Sequence, residues 1–435
     1  MLRTLLSGPG FLVLISMALT TWAPAADWPQ YRGPNRDDLS QETGLLLSWP
    51  SEGPELLWTF EDSGRGYSGP AIVGQRLYTL GDRGEDCFLI ALDLPQATDK
   101  SPREAWALRL GPKFDFPGNA WSAGPSATAT VDGDRVYALS GSGDLLCAST
   151  DGRELWRKSL PTDLAAEINP IGGGPKKLGW GFTGSPLVDG ERLICIPGGP
   201  KGTVAALDKQ TGEVQWRSAE VTDQAAYTSP MLATIGGTRQ YVVLTNQGLL
   251  GVAADDGRLL WRHRQRWGTE VVNSPIVREN RIFVTVGAGN GCESIEITRD
   301  GDQFQVASIY ANKKLLNHHG NIALLGDNLY GNSQGSGWTC LGFDSGEVIS
   351  SNRQIGGGAL TYADGRFYLF SERDGSTLLL DVSGRNATIT GRVKPPRESD
   401  LRKPKGGFWT PPVVANGRLY LRDQNLLFCY DVRLK

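Results

Sequence analysis

Short runs of apolar residues alternate with Gly- and Asp-rich breaks along this chain, and no long helical pattern appears between them. Residues 183–216, TGSPLVDGERLICIPGGPKGTVAALDKQTGEVQW, set the pattern. A Ser-Pro opens a first strand at Leu187-Val188, Asp189-Gly190 makes a tight turn, and 192–197 form a second strand. Residues 198–202 turn into a third strand at 203–207, Thr211-Gly212 turns again, and 214–216 ends the unit on Trp216. Gly and Asp supply the positive φ that two-residue hairpins need, and the β-branched and aromatic residues between them suit pleated, half-buried strands. One four-stranded meander cannot bury its apolar face alone, whereas a ring of them can.

Versions of this unit return along the whole chain. Opening strands are read at Ser68-Gly69-Pro70, Ala123-Gly124-Pro125, Gly184-Ser185-Pro186, Thr228-Ser229-Pro230, Asn273-Ser274-Pro275, Gly320-Asn321-Ile322, Gly358-Ala359-Leu360 and Thr410-Pro411-Pro412. Residues 55–60 (ELLWTF) look like a fourth strand lacking its first three, and 409–431 supply three strands with no Trp strand to follow. The expected fold is therefore all-β: an eight-bladed β-propeller at 55–435, closed by an N-terminal strand that completes the last blade. Seven blades is the alternative if a degenerate repeat is misread. Closure leaves no open sheet edge, and a monomer is expected. Residues 161–177 and 392–405, the latter with six basic residues to two acidic, read as surface loops.

The 435 residues carry 44 Lys plus Arg against 47 Asp plus Glu, so no single-sign field draws the protein to nucleic acid or to an anionic membrane. Thirteen Trp against three Met suit wedges between blades. Residues 1–25 have a short basic start, an apolar run at 11–19 too short to span a bilayer, and a small-residue site at Ala23-Pro24-Ala25. This is read as a secretory signal, with 26–54 a lead-in and the mature protein periplasmic or secreted. Cys87, Cys147, Cys195, Cys292, Cys340 and Cys429 fall one to a strand with no C-x-x-C, as small buried hydrophobes do.

The repeat G-x-L-x-A-L-D-x-x-T-G-x-x-x-W, seen at 202–216 with Val204 at the Leu position, resembles the pyrroloquinoline-quinone-like (PQQ-like) repeat. That repeat builds eight-bladed propellers in quinoprotein alcohol dehydrogenases and in the bacterial outer-membrane assembly lipoprotein. Trp28-Pro29-Gln30-Tyr31-Arg32-Gly33-Pro34-Asn35, Asn317-His318-His319-Gly320, Gly337-Trp338-Thr339-Cys340 and residues 414–423 resemble secreted members common in planctomycete-like bacteria. The dehydrogenase resemblance implies a central quinone site with an adjacent-cysteine disulfide, a Trp floor, a calcium held by carboxylate and amide oxygens, and a carboxylate base. The adjacent cysteines are absent, and no calcium or base motif is matched. Fold does not carry function across.

A ligand site is expected where the loops enter the opening strands. Those positions read Tyr67-Ser68, Trp121-Ser122, Phe182-Thr183, Tyr227-Thr228, Val272-Asn273, His318-His319 and Trp409-Thr410, with only Gly356-Gly357-Gly358 in the seventh blade. The candidate ligand contacts are therefore Tyr67, Trp121, Phe182, Tyr227, Asn273, His318, His319 and Trp409, an aromatic funnel for a planar or sugar-like ligand. The competing reading is that these aromatics only wedge blades apart. His318 and His319 are the weak catalytic candidates. Neighbours on a strand point to opposite faces, so one is expected to face the channel and the other to pack between blades. Lys313 and Lys314 add charge at the same mouth, and His263 is read as surface. No metal ligand set is found. The G-x-G-x-x-G at 64–69 runs into a strand, the G-x-S-x-G at 331–335 lies in a hairpin turn, and 172–177 lacks a phosphate-loop spacing; all three are turn noise.

Two functions follow. One is a non-catalytic binding or scaffold propeller of the cell envelope, whose partner is an envelope protein, a glycan or a small molecule. The other is a quinone-dependent dehydrogenase using PQQ with calcium on an alcohol or sugar. A channel lined by two carboxylates and a Lys or Arg favours the second; a channel blocked by side chains favours the first.

Overall fold

The computed structural model describes residues 26–95, 100–170, 179–265, 267 and 270–435, so the segment read as a secretory signal and part of the 161–177 loop lie outside the described residues. Thirty-two strands form eight four-stranded antiparallel sheets arranged as a propeller. The only helix among the described residues is a single turn, Leu160–Asp163. Blade 1 spans 71–112, blade 2 130–159, blade 3 187–217, blade 4 231–264, blade 5 276–312, blade 6 322–352 and blade 7 358–393. Blade 8 joins Val413–Ala415, Arg418–Asp423 and Leu426–Asp431 to Glu55–Phe60, which pairs with Leu426–Asp431 in the register Trp58↔Cys429. The N-terminal strand thus closes the ring.

The repeat motif is legible in the contacts between blades. The Gly of the last turn of one blade, in Thr211-Gly212 and Asp151-Gly152, seats on the closing Trp of the blade before it. A Cβ on Gly212 would come within 2.7 Å of the Trp156 ring, and one on Gly152 within 2.6 Å of Trp106. Both glycines hold positive φ, so sterics and backbone conformation select the same residue. The Trp156 indole N–H donates to the Lys209 carbonyl of the next blade at 3.0 Å, and Trp106 does the same to Thr150. On its own sheet each Trp faces a small residue: Trp156 opposes Cys147, Trp106 opposes Ala91 and Trp261 opposes Gly251. The opening Ser-Pro has a matching use. The hydroxyls of Ser185, Ser229 and Ser274 accept backbone N–H groups from Thr128, Ser185 and Ser229, one blade earlier in each case, at 2.9–3.0 Å. The six cysteines are buried and unpaired.

The closing seam carries a distinct device. Arg422 of blade 8 is 1% exposed and donates to the carbonyls of Ser63, Gly64 and Ser68 and to the Thr79 hydroxyl at the edge of blade 1. No carboxylate takes part in these bonds, and burial lowers its pKa to about 9.

The lead-in does more than connect. Trp28 pairs with Ile72 of blade 1, the Pro29 carbonyl accepts from Val131 of blade 2, and Arg36 donates to the Ser185 and Pro186 carbonyls at blade 3. Arg32 donates to Ile322 of blade 6, Asp38 and Ser40 pair with Tyr362 of blade 7, and the Ser40 hydroxyl reaches Val414 of blade 8. Residues 28–40 therefore lie across the inner strands of six blades and plug the axial channel. Positive φ at Arg32, Arg36 and Asp38 folds the segment tightly enough to fit. The sequence marked this stretch only as a lead-in, because a plug has no periodicity to betray it.

Candidate axial binding site

Above the plug the channel opens into a cavity of about 280 Å³. Loops entering seven of the eight blades line it, and blade 7, with its three glycines, contributes none. Tyr31 of the plug reaches the cavity, its hydroxyl 3.2 Å from Asn321 Oδ1.

Tyr67, Trp121, Tyr227, His318, His319 and Trp409 line the cavity as the sequence placed them. Phe182 and Asn273 do not. Phe182 is 2% exposed in the core, against the Gly143 turn, and its neighbour Thr183 lines the cavity instead. Asn273 is buried, donating its amide to the Asn317 carbonyl at 3.1 Å, and Val272 takes its place. The loop at each of these blades presents one residue of the pair inward and folds the other back against a neighbour. A reading by sequence offset cannot tell which.

His318 and His319 depart from the expected alternation. Both face the cavity, with ring centroids 3.8 Å apart, because residues 317–320 are irregular rather than strand and Gly320 and Asn321 hold positive φ. His319 stacks on Trp409 at 4.5 Å and 22°, and Trp409 in turn lies 5.3 Å from Tyr67. On another wall Trp180 lies 5.4 Å from Tyr227. His318 Nε2 meets Glu270 Oε2 at 2.8 Å. Burial lowers the His318 pKa, with Glu270 pulling it partly back, and burial followed by the neighbouring His318 lowers His319 further. Both rings are therefore neutral near pH 7. Behind Trp409, burial raises the Glu372 pKa, opposed by a hydrogen bond from the indole.

Sequence reading missed Glu270, Trp180, Tyr31, Ser126 and Asn321. Glu270 and Trp180 lie two residues further from the opening strand than the positions compared, and Tyr31 lies outside the repeats altogether. Lys313 and Lys314 do not line the cavity, and Lys314 pairs with Glu347. His263 is not a bare surface group, since its Nε2 lies 3.0 Å from the buried Glu293 of the next blade. The loop expected at 392–405 starts only after Val393, where the last strand of blade 7 ends, and it packs beside the mouth: Lys403 pairs with Asp115, and Lys405 Nζ stands 5.2 Å from the centroid of Trp121.

Calcium and a tricarboxylate quinone can be tested against these groups. Among the described residues the lining holds one carboxylate, Glu270, and no Lys or Arg. Among the described residues no three His, Cys, Asp or Glu gather as a metal site. One carboxylate already engaged by His318 does not make an oxygen cage for calcium, and no cation of the described lining answers the quinone's carboxylates. The residues present do not fit that pair.

Eight repeat-built sheets around a plugged axis define a PQQ-like repeat β-propeller. The family model described as outer membrane protein assembly factor BamB matches residues 91–377, and the chain belongs to that family. Its structure is similar to BamB from Moraxella catarrhalis, with 15% identity, a TM-score of 0.57 and coverage of 86% of this chain and 97% of that one. It is also similar to quinohemoprotein alcohol dehydrogenase from Comamonas testosteroni, with 10% identity, a TM-score of 0.61 and coverage of 94% and 81%. The computationally designed Ika8 protein matches at 10% identity and a TM-score of 0.56, over 87% of this chain and 100% of that one. Identities this low establish a shared fold alone. No curated protein matches the sequence.

Proposed function

We propose that this chain is an exported, non-catalytic binding propeller of the cell envelope. In this reading residues 1–25 are a secretory signal, 26–54 a lead-in that plugs the ring, and 55–435 one propeller acting as a monomer in the periplasm or outside the cell. Its axial cavity takes a small molecule, or a protruding group of an envelope protein or glycan. The carrying observation is the cavity itself: aromatic rings from separate blades converge on a space closed below by residues 28–40. Rigid rings with a few polar groups between them bind; the plug denies passage through the axis. No helix of the described residues is long and apolar enough to cross a membrane.

The second reading, a PQQ-dependent dehydrogenase of an alcohol or sugar, has one observation in its favour. A carboxylate–imidazole pair at a channel mouth, Glu270–His318, is a group arrangement that moves protons. Titrating the protein with pyrroloquinoline quinone, with and without calcium, separates the two through quenching of its Trp fluorescence. The binding reading expects no saturable quinone binding and retention of envelope partners on the immobilised protein. Saturable binding followed by dye-linked alcohol oxidation would overturn it.

A further inference from the structure

The charges that face the cavity are unusually one-sided. Among the described residues its wall carries six Tyr and Trp rings beside four Ser and Thr hydroxyls and one amide, its one carboxylate is Glu270, and no Lys or Arg lines it. The two imidazoles do not compensate, since burial keeps both neutral near pH 7. Anionic ligands thus meet a carboxylate with no cation among the described lining residues to receive them. Aromatic faces, by contrast, carry the negative lobe of the ring quadrupole and attract a cation placed over them.

A cation already uses one of these rings. Lys405 Nζ stands 5.2 Å from the centroid of Trp121 at the rim, while Trp121 itself lines the cavity. Deeper in, two ring pairs stand on the wall, Trp409–Tyr67 and Trp180–Tyr227, with centroids 5.3 and 5.4 Å apart. Glu270 faces the same space as a counter-charge.

The geometry points to an organic cation as the ligand: a methylated or quaternary ammonium group seated among Tyr67, Trp180, Tyr227 and Trp409, with Glu270 supplying the opposite charge. The assignment rests on the binding reading of the axial cavity. Methylation matters for a physical reason. A primary ammonium sheds strongly held water and needs three acceptors in return, which the faces of Tyr67, Trp180, Tyr227 and Trp409 do not offer. A quaternary ammonium presents C–H surface and keeps its charge, so desolvation costs less and the ring faces supply the attraction.

Calorimetric titration with tetramethylammonium chloride, and with choline chloride, tests this. Sodium chloride of equal concentration serves as the ionic control, and a methyl glucoside and pyrroloquinoline quinone as rival probes. The expected result is saturable heat with both ammonium ions and none with sodium. Glu270→Gln and Trp409→Ala are expected to weaken binding by about 10-fold or more each, with melting curves checking that the variants fold. The wild-type comparison of tetramethylammonium with sodium stands even if a variant does not fold. Binding of the glucoside without the ammonium ions overturns the cation assignment and leaves the binding reading intact. Ammonium binding that Glu270→Gln and Trp409→Ala both leave unchanged overturns it as well. Silence from every probe, together with no retained partner, removes both.

Discussion

Glu270 Oε2 lies 2.8 Å from His318 Nε2, joining the loop that enters blade 5 to the loop that enters blade 6 across the cavity wall. Because burial lowers the His318 pKa, its ring is neutral near pH 7, and it protonates only below the usual imidazole range. Protonation would put a positive charge beside Glu270, the one acidic residue of the described lining. His319, stacked beside it, would add like charge if it too were protonated. Affinity for an ammonium probe is therefore expected to fall several-fold between about pH 7 and about pH 5. His318→Gln should flatten that profile. Calorimetry at a series of pH values reads both, and an unchanged slope in the variant would assign the titration elsewhere.

The other two histidines are expected to pull stability in opposite directions. His319 has a folded pKa well below its unfolded value because it is buried beside His318. As pH falls below about 6.5, the unfolded chain takes up a proton that the folded chain refuses, so stability falls. His263 has a raised folded pKa, chiefly from its hydrogen bond with Glu293. Its contribution is complete below the unfolded value and is lost as pH rises through the folded one. Melting temperatures from about pH 5 to about pH 8 should show His319→Gln relieving acid sensitivity and His263→Gln increasing it.

Trp156 and Gly212 form one joint between blades 2 and 3, so their substitutions should not add. Trp156→Ala removes a buried ring and its bond to Lys209, a loss of about 3–5 kcal/mol. Gly212→Ala places a methyl 2.7 Å from that ring at a φ of +74°, expected to cost about 1–3 kcal/mol. Part of the second cost disappears once the ring is gone. Urea unfolding of the two single variants and the double should reveal a coupling of about 1 kcal/mol. Simple additivity would mean that the turn does not bear on the Trp.

Arg422 should matter more than its lack of an acidic partner suggests. Arg422→Met strips the hydrogen bonds from Ser63, Gly64 and Ser68 carbonyls buried at the closing seam. The Ser68 carbonyl keeps the Thr79 hydroxyl as a donor, whereas leaving the Ser63 and Gly64 acceptors unpaired costs about 1–3 kcal/mol each, so a loss of at least about 2 kcal/mol is expected. Arg422→Lys should recover only part of it, since an ammonium lacks the planar fork. A Met variant with the wild-type urea midpoint would contradict this account.

The repeat itself was readable because each of its features answers to a short-range rule. Asp-Gly and Thr-Gly breaks mark hairpins, and Trp58 without its blade and Cys429 without its outer partner strand announce one another. The candidate site was readable in outline for the same reason, since a ring of equivalent loops repeats Tyr67, Trp121, Tyr227 and Trp409. What escaped was whatever breaks the repeat. Phe182 and Asn273 were lost to the core by loop details that no spacing encodes. His318 and His319 share a cavity because the chain leaves strand geometry at Asn317.

The sequence alone therefore determined the repeating strands, their order and the closure of the ring, because local periodicity dictates strands and unpaired terminal strands must meet; the eight sheets settled the count of blades against seven. Only the tertiary structure decided what stands at the axis. Residues 28–40 cross to six blades, and Glu270 reaches His318, through contacts between segments far apart in the chain. Such contacts are fixed by the packing of the whole ring, which no single repeat contains.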